Sequence, residues 1–197
     1  MARFCAVAAL ILIARTQAYA DQEASNRAYV RASEDGQLYA RSVPDDLFGT
    51  KGTTTVYRVK GGKDTVFASF PWYSHCVYLS NESILRMGPW NGGSKPNDSD
   101  LAIGFYGFNG RTKRYSTKDI EKISHKYRPS VSHYEVFKNS NGLVDVYRIR
   151  GKDFQSLFPS KALSLTLEGG KIILISMETG NILEMGKDMT TTRPSGD

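Results

Sequence analysis

Aromatic, amide and acidic side chains gather in one long segment that is rich in turn-forming residues. Residues 88–100, GPWNGGSKPNDSD, place Trp90 beside Asn91 and carry Asp98 and Asp100 at the far end. A tryptophan ring can stack on a sugar or anchor a protein partner, and amide and carboxylate oxygens accept hydrogen bonds from hydroxyl groups. The pattern predicts a binding surface for a saccharide or a protein partner. Its candidate residues are Trp72, Trp90, Asn91, Asp98 and Asp100.

The length of this segment allows two interpretations. Loops this long in a compact β domain are usually functional or disordered, and Gly92 and Gly93 let the backbone approach a ligand closely. The alternative is that Trp90 folds back and plugs the end of a sheet. Replacement of Trp90 by alanine separates the two, because loss of a core ring costs roughly 3–5 kcal/mol of stability.

Residues that serve nucleophilic or metal chemistry are scattered along the chain. Ser132 precedes His133, but the Gly-x-Ser-x-Gly turn of a serine nucleophile is absent. Cys76 follows His75, and neighbouring strand residues point to opposite faces, so we expect a buried, slow-reacting thiol. The three histidines, which include His125, lack the i, i+4 spacing of a helical zinc pair. We therefore expect no catalytic residue, no metal site and no cofactor.

Two classes of function stay open on this basis. The first is a non-catalytic binding or interaction module of the cell envelope or the extracellular space. The second is an exported hydrolase whose acidic and basic groups converge only in three dimensions. A concave pocket that holds titratable groups of perturbed pKa favours the hydrolase, whereas a flat or aromatic-rimmed surface favours the binding module.

The first twenty residues have the pattern of an export signal. Arg3 supplies a positive start, residues 4–14 form an unbroken apolar run, and Ala18 and Ala20 give the small-x-small form that signal peptidase recognises. The run has only about half of the ~20 apolar residues that a membrane-spanning helix needs. We expect cleavage after Ala20, a secreted or periplasmic location and no membrane span.

The charge of the chain is moderately positive. It has 197 residues and a net charge of +6, which falls to +4 when Arg3 and Arg15 leave with the leader. The densest basic cluster, residues 111–114, holds three charges. Nucleic-acid binders usually present a clustered basic face with interleaved aromatic residues. We therefore expect no nucleic-acid partner.

Turn signals recur along the chain at the spacing of short antiparallel strands, about every ten residues. Strand-like runs flank Asp35-Gly36, Gly61-Gly62, Asn109-Gly110 and Gly169-Gly170. A further hairpin is predicted between residues 131–138 and 143–150, across the turn-forming residues 139–142. The pattern predicts an all-β fold with minor α content. Its antiparallel hairpins would form a sandwich, a barrel or a small propeller-like sheet.

One short helix is predicted near residues 117–126, where Ser116 or Thr117 can cap it and Asp119 lies in its first turn. The predicted organisation of the chain has four parts. They are a signal peptide at 1–20, a flexible N-terminus at 21–27, a single β-rich domain at 28–187 and a disordered tail at 188–197.

Two turns resemble those of β-propeller repeats. Residues 32–39, ASEDGQLY, resemble the Ser-x-Asp-Gly hairpin of such repeats, and residues 175–182, ISMETGNI, resemble the x-Thr-Gly turn of quinoprotein-like and WD-type blades. Residues 86–93, 100–106 and 113–120 are similar to segments of exported bacterial β proteins. The resemblance implies the fold class and no activity.

Overall fold

The computed structural model of the chain describes residues 23–90, 92–130, 133–148, 160–183 and 189–192. Most of this part is antiparallel β-structure with one short helix, which confirms the predicted all-β class with minor α content. The predicted export signal, with its cleavage residues Ala18 and Ala20, lies outside the described residues, as does Asn91. No helix in the described ranges is long and apolar enough to cross a bilayer.

The first sheet is a four-stranded antiparallel meander in which each strand pairs with the next along the chain. Its strands are β1 (Tyr29–Ala32), β2 (Leu38–Pro44), β3 (Gly52–Lys60) and β4 (Lys63–Phe70). The predicted glycine turns connect β1 to β2 and β3 to β4, with Gly36 and Gly61 at the positive φ that glycine tolerates. Leu38, Ala40 and Ser42 alternate as buried residues, so one face of this sheet enters a core.

The second sheet is another meander, and it carries the helix and the long loop. Its strands are β5 (Val77–Leu79), β6 (Ser83–Met87), β7 (Leu101–Gly107) and β8 (Thr112–Ser116). The helix α1 (Thr117–Ser124) follows β8 directly, where Ser116 and Asp119 exchange the hydrogen bonds of a capping box. The helix ends two residues earlier than predicted, before His125 in the left-handed conformation. The loop of residues 88–100 connects β6 to β7.

A two-stranded sheet links α1 to the third sheet. It consists of β9 (Arg128–Pro129) and β10 (Tyr134–Glu135). The third sheet has five strands in the order β14-β13-β12-β11-β15. They are β11 (Phe137–Arg148), β12 (Ser160–Leu167), β13 (Ile172–Ser176), β14 (Ile182–Leu183) and β15 (Met189–Thr192).

The predicted hairpin across residues 139–142 is wrong, because the chain continues through this segment as part of β11. Two register shifts against β12 occur there, between Phe137 and Asn139 and between Ser140 and Gly142. Bulges of this kind absorb extra residues without reversing the strand. The turn-forming residues therefore bend β11 instead of ending it.

Segments near both chain ends that are predicted to be flexible contain anchored residues. Within the predicted disordered tail at 188–197, residues 189–192 form β15 and pair with β11. Their threonine-rich composition is typical of strands. Within the predicted flexible segment 21–27, the backbone N–H of Asn26 donates to the carbonyl of Leu47 at 2.7 Å, and its side-chain amide donates to the carbonyls of Asp46 and Gly49.

Two hydrophobic cores lie on opposite faces of the second sheet. Ile84 of β6 belongs to the core that contains Leu38 and Val56 of the first sheet. Its neighbour Leu85 belongs to the core that contains Leu163 of the third sheet. Successive residues of a strand point to opposite faces. The three large sheets therefore pack in chain order, with the second sheet in the middle.

Candidate functional site

A small cavity lies beside β10, between the loop of residues 88–100 and the start of β11. Its volume is about 240 Å³. Its polar and aromatic lining comes from Trp90, His133, Tyr134 and Glu135, and apolar side chains of β6, β7 and β11 supply most of the rest. We refer to it below as the Trp90 cavity.

Trp90 and His133 form one wall of the Trp90 cavity. Their ring centroids lie 3.7 Å apart, and the ring planes are inclined at 31°. A backbone bridge between Gly92 and His133 holds the loop against the strand region. His133 is buried, whereas Trp90 is only half-buried. The indole therefore rests on the imidazole and leaves part of its surface at the cavity.

A charged group stands beside this aromatic wall. The Oε1 atom of Glu135 lies 3.8 Å from Nε2 of His133, and the two residues alternate along the chain, which puts their side chains on the same side of the strand. Arg128 pairs with Glu135, and its Nε atom lies 3.6 Å from Oε1 of Glu168. The carboxylate of Glu135 is therefore held in place at the cavity wall by a neighbouring cation.

Tyr134 connects the cavity to the acidic end of the loop. Its hydroxyl group donates to Oδ2 of Asp100 at 2.5 Å and lies 2.8 Å from Oγ1 of Thr117. Burial, together with the hydrogen bond to Asp100, raises the pKa of Tyr134 to about 12. The Tyr134 side chain therefore stays a neutral donor at physiological pH, and it orients the Asp100 carboxylate.

The far end of the loop is fixed by Asn97. Its side-chain oxygen accepts hydrogen bonds from the backbone N–H groups of Ser99 and Asp100, at 2.9 Å and 2.8 Å. Its backbone carbonyl accepts from the hydroxyl group of Thr117 and from the N–H of Lys118 in the first turn of α1. The cap of the helix thus positions Asp100.

The structure separates the predicted site residues into two groups. Trp90 lines the cavity, and Asp100 lies behind it, in contact with a lining residue. Asp98 is exposed on the loop, and Trp72 is 7% exposed in the core between the first and second sheets. Trp72 is therefore not a lining residue of the Trp90 cavity. Asn91 lies outside the described residues.

Trp72 belongs instead to an aromatic cluster that contains an arginine. Its ring stacks on Phe70 at a centroid distance of 5.2 Å and lies 5.1 Å from the ring of Tyr106. The guanidinium carbon of Arg86 stands 4.8 Å from the centroid of the Trp72 ring. The cluster lies where the first and second sheets meet, on the face of β6 opposite to Leu85.

Cys76 lies immediately before β5 and is half-buried. His75 is exposed, and its Nδ1 atom lies 3.4 Å from the hydroxyl group of Tyr73. The imidazole of His75 therefore contacts a tyrosine hydroxyl group. Among the described hydrogen bonds, none joins Cys76 to a histidine.

Sequence reasoning did not identify His133, Tyr134 and Glu135 as site residues. The available signal was the alternation of His133 and Glu135, which puts both side chains on one side of an extended segment. That alternation did not predict that the segment contacts Trp90, which is more than forty residues earlier in the chain. The antiparallel bridge at Gly92 and His133 makes this connection.

Comparison of the chain with protein-family models, curated proteins and solved structures finds no match. Within the described ranges, no three histidine, cysteine, aspartate or glutamate side chains gather closely enough to hold a metal ion. The chemistry of the site therefore follows from its own geometry: an aromatic wall, a fixed carboxylate and a buried phenol around a small cavity.

Proposed function

We propose that the protein is an exported, non-catalytic binding module of the cell envelope or extracellular space, and that the Trp90 cavity holds one ring of a saccharide. The observation that carries the proposal is the half-buried indole of Trp90 beside a fixed carboxylate. The apolar face of a sugar stacks on such a ring, and its hydroxyl groups donate to carboxylate oxygens.

The size of the cavity supports a small ligand. Pockets for drug-sized molecules usually start at about 300 Å³, and the Trp90 cavity has about 240 Å³. A single sugar ring fits this scale, with the remainder of a longer chain in solvent. A protein partner could insert only one side chain.

An exported hydrolase is the second candidate, and the contact between His133 and Glu135 is the observation that favours it. A hydrolase also needs a nucleophile or an activated water within reach of such a pair. Among the described residues that line the cavity, Tyr134 supplies the only side-chain hydroxyl group, and that group donates a hydrogen bond to Asp100. Its raised pKa disfavours the nucleophilic phenolate. These features favour binding over hydrolysis.

The test is saturation-transfer NMR with a panel of neutral and acidic monosaccharides and disaccharides. We expect the wild-type chain to transfer saturation to the ring protons of at least one sugar, and Trp90→Ala to abolish the transfer. Phe48→Ala is the control, because Phe48 is an aromatic residue that is 52% exposed and remote in sequence from the cavity. This variant should behave as the wild type does.

Three results would count against the proposal. The first is that no sugar in the panel receives saturation from the wild type. The second is that Trp90→Ala transfers saturation as well as the wild type does. The third is release of product from a glycoside by the wild type but not by Glu135→Gln, which would favour the hydrolase.

A further inference from the structure

Arg86 is a half-buried cation that has no acidic partner in the part of the chain that the structure describes. No carboxylate among the described residues forms an ion pair with its guanidinium group, which faces the rings of Trp72 and Tyr106 at 4.8 Å and 5.7 Å. Burial lowers the pKa of Arg86, and the Tyr106 phenol opposes this effect. Aromatic faces attract a cation, but they do not accept its N–H hydrogen bonds as an anion does.

Among the residues that the structure describes, two hydrogen-bond donors are left without a partner at this position. The Nε atom of Arg86 is buried without an acceptor, and so is Nε1 of Trp72, whose side chain is more than nine-tenths buried. Buried donors in native proteins are nearly always paired. Two orphaned donors on adjacent side chains therefore point to an acceptor that the described residues do not supply.

A second arginine lies on the same face. Arg86, Gly104 and Arg114 are direct partners across β6, β7 and β8, so their side-chain positions share one face of the second sheet. Arg114 donates to the backbone carbonyls of Asp98 and Ser99, which are neutral acceptors. Its charge adds to that of Arg86 and is one of the reasons that the pKa of Arg86 is lowered.

Gly104 makes room for this arrangement. A Cβ atom at this position would lie 3.2 Å from Cγ of Arg86 and 3.0 Å from Cε2 of Tyr106. Both side chains therefore lie directly over the glycine. Arg114 is exposed on β8, which is an edge strand of the second sheet, so this member of the pair faces solvent.

The nearby acids do not neutralise the pair. The carboxylate of Asp100 is held by Asn97 and Tyr134. Asp98 contacts Arg114 through its backbone carbonyl, and within the described part its carboxylate forms no ion pair with either arginine. Within the described ranges, the face therefore keeps an uncompensated positive charge.

We propose that Arg86, Arg114 and Trp72 form an oxyanion-binding site at the junction of the first and second sheets. The ligand is the carboxylate, phosphate or sulfate group of a small molecule. The guanidinium fork matches the oxygens of such groups, and the indole N–H adds a neutral donor. This site lies on the face of the second sheet opposite to Leu85 and is independent of the Trp90 cavity.

The test uses Trp72 as a reporter. The chain has two tryptophans, so Trp90→Phe leaves Trp72 as the only indole. The same change removes the indole from the Trp90 cavity. The protein is titrated with sodium sulfate, sodium phosphate and sodium acetate at constant ionic strength, which is maintained with sodium chloride. We expect a saturable change in Trp72 emission, and the anion that saturates at the lowest concentration identifies the class of group.

Variants of Arg86 are compared in the same background. Arg86→Met should abolish the saturable change, and Arg86→Lys should weaken it at least about tenfold, because lysine lacks the fork geometry. Arg58→Met is the matched control, since Arg58 also stacks on an aromatic ring, at 3.9 Å from the centroid of Phe67, but has exposed surroundings in the first sheet. It should leave the titration unchanged.

A second readout covers the case in which Arg86→Met does not fold. An anion that binds only the native state raises its melting temperature, so the best anion should raise that of the wild type more than that of Arg86→Lys. The proposal is overturned if all three anions give only a linear change in emission. It is also overturned if Arg86→Lys and the wild type respond equally in both readouts.

Discussion

At the scale of single residues, the contacts of Tyr134 are the best-defined polar feature of the site. Its hydroxyl group joins Asp100 of the loop to Thr117 of the helix cap, and both contacts are within 2.8 Å. The hydroxyl of a buried tyrosine normally finds a partner. Here the partner is Asp100, which the loop composition predicted to contact a ligand. One oxygen of its carboxylate is therefore used to fix the loop.

The first prediction concerns Tyr134→Phe. At neutral pH the change removes one of the donors to the Asp100 carboxylate, and we expect a loss of about 1–3 kcal/mol in the free energy of unfolding. In the wild type, the pKa of this phenol rises from 10.0 to about 12 on folding. A raised pKa contributes stability that is fully present below pH 10 and is lost as the pH rises towards about 12.

Urea unfolding across this alkaline range measures the effect. The free energy of unfolding should fall more steeply with pH in the wild type than in Tyr134→Phe. Equal slopes in the two proteins would mean that Tyr134 does not titrate differently in the folded and unfolded states.

Local sequence composition predicted the surroundings of Trp90 but not those of Trp72. Gly, Pro and Asn neighbours mark a residue as part of a loop, and Trp90 is indeed a half-buried loop residue. Trp72 follows β4 and precedes β5, so it enters the space between two sheets and is 7% exposed. Local composition does not reveal which sheet faces will pack together.

At the scale of secondary-structure elements, α1 fixes the loop as much as it contributes to the core. Ser116 ends β8, caps the helix and exchanges hydrogen bonds with Asp119. The next residue, Thr117, bonds to Asn97 of the loop. The cap was predictable because its residue types and spacing are local, whereas the attachment of the loop to it was not.

The second prediction is that Ser116→Ala destabilises the protein by about 1 kcal/mol, since the N–H of Asp119 loses its acceptor. Thermal or urea unfolding measures the change. Ser69→Ala is a suitable control, because Ser69 is an exposed serine of β4 without a capping role. A loss no larger than that of the control would contradict the assigned role of the cap.

The course of β11 shows where local patterns fail. Asn, Ser and Gly at residues 139–142 are typical of a turn, yet the segment stays extended because β12 pairs with it on both sides of two bulges. A strand partner more than fifteen residues away decided the outcome. Turn residues flanked by long β-prone runs therefore indicate either a hairpin or a bulged strand.

At the scale of the whole molecule, the second sheet couples the other two. Ile84 and Leu85 are neighbours on β6, and both are fully buried in different cores. Antiparallel hairpins and their turns could be predicted from spacing, which gave the fold class. The order of the packed layers depends on long-range contacts that no local pattern encodes.

The third prediction uses this pair. Ile84→Ala and Leu85→Ala should each cost about 2–5 kcal/mol, because each leaves a cavity in a packed core. Since the second sheet belongs to both cores, both variants should still unfold in a single transition, at a lower temperature than the wild type. Calorimetry that resolves two transitions in either variant would mean that the cores fold independently.

The central claim is that Trp90 contacts a saccharide, and its indole N–H resonance tests it most directly. The ¹H–¹⁵N spectrum of the chain should show one indole signal for each of its two tryptophans, and Trp90→Phe assigns them. When a sugar that receives saturation from the wild type is added, we predict a saturable shift of the Trp90 signal and a far smaller shift of the Trp72 signal. A Trp90 signal that stays in place while the sugar is bound would contradict the claim.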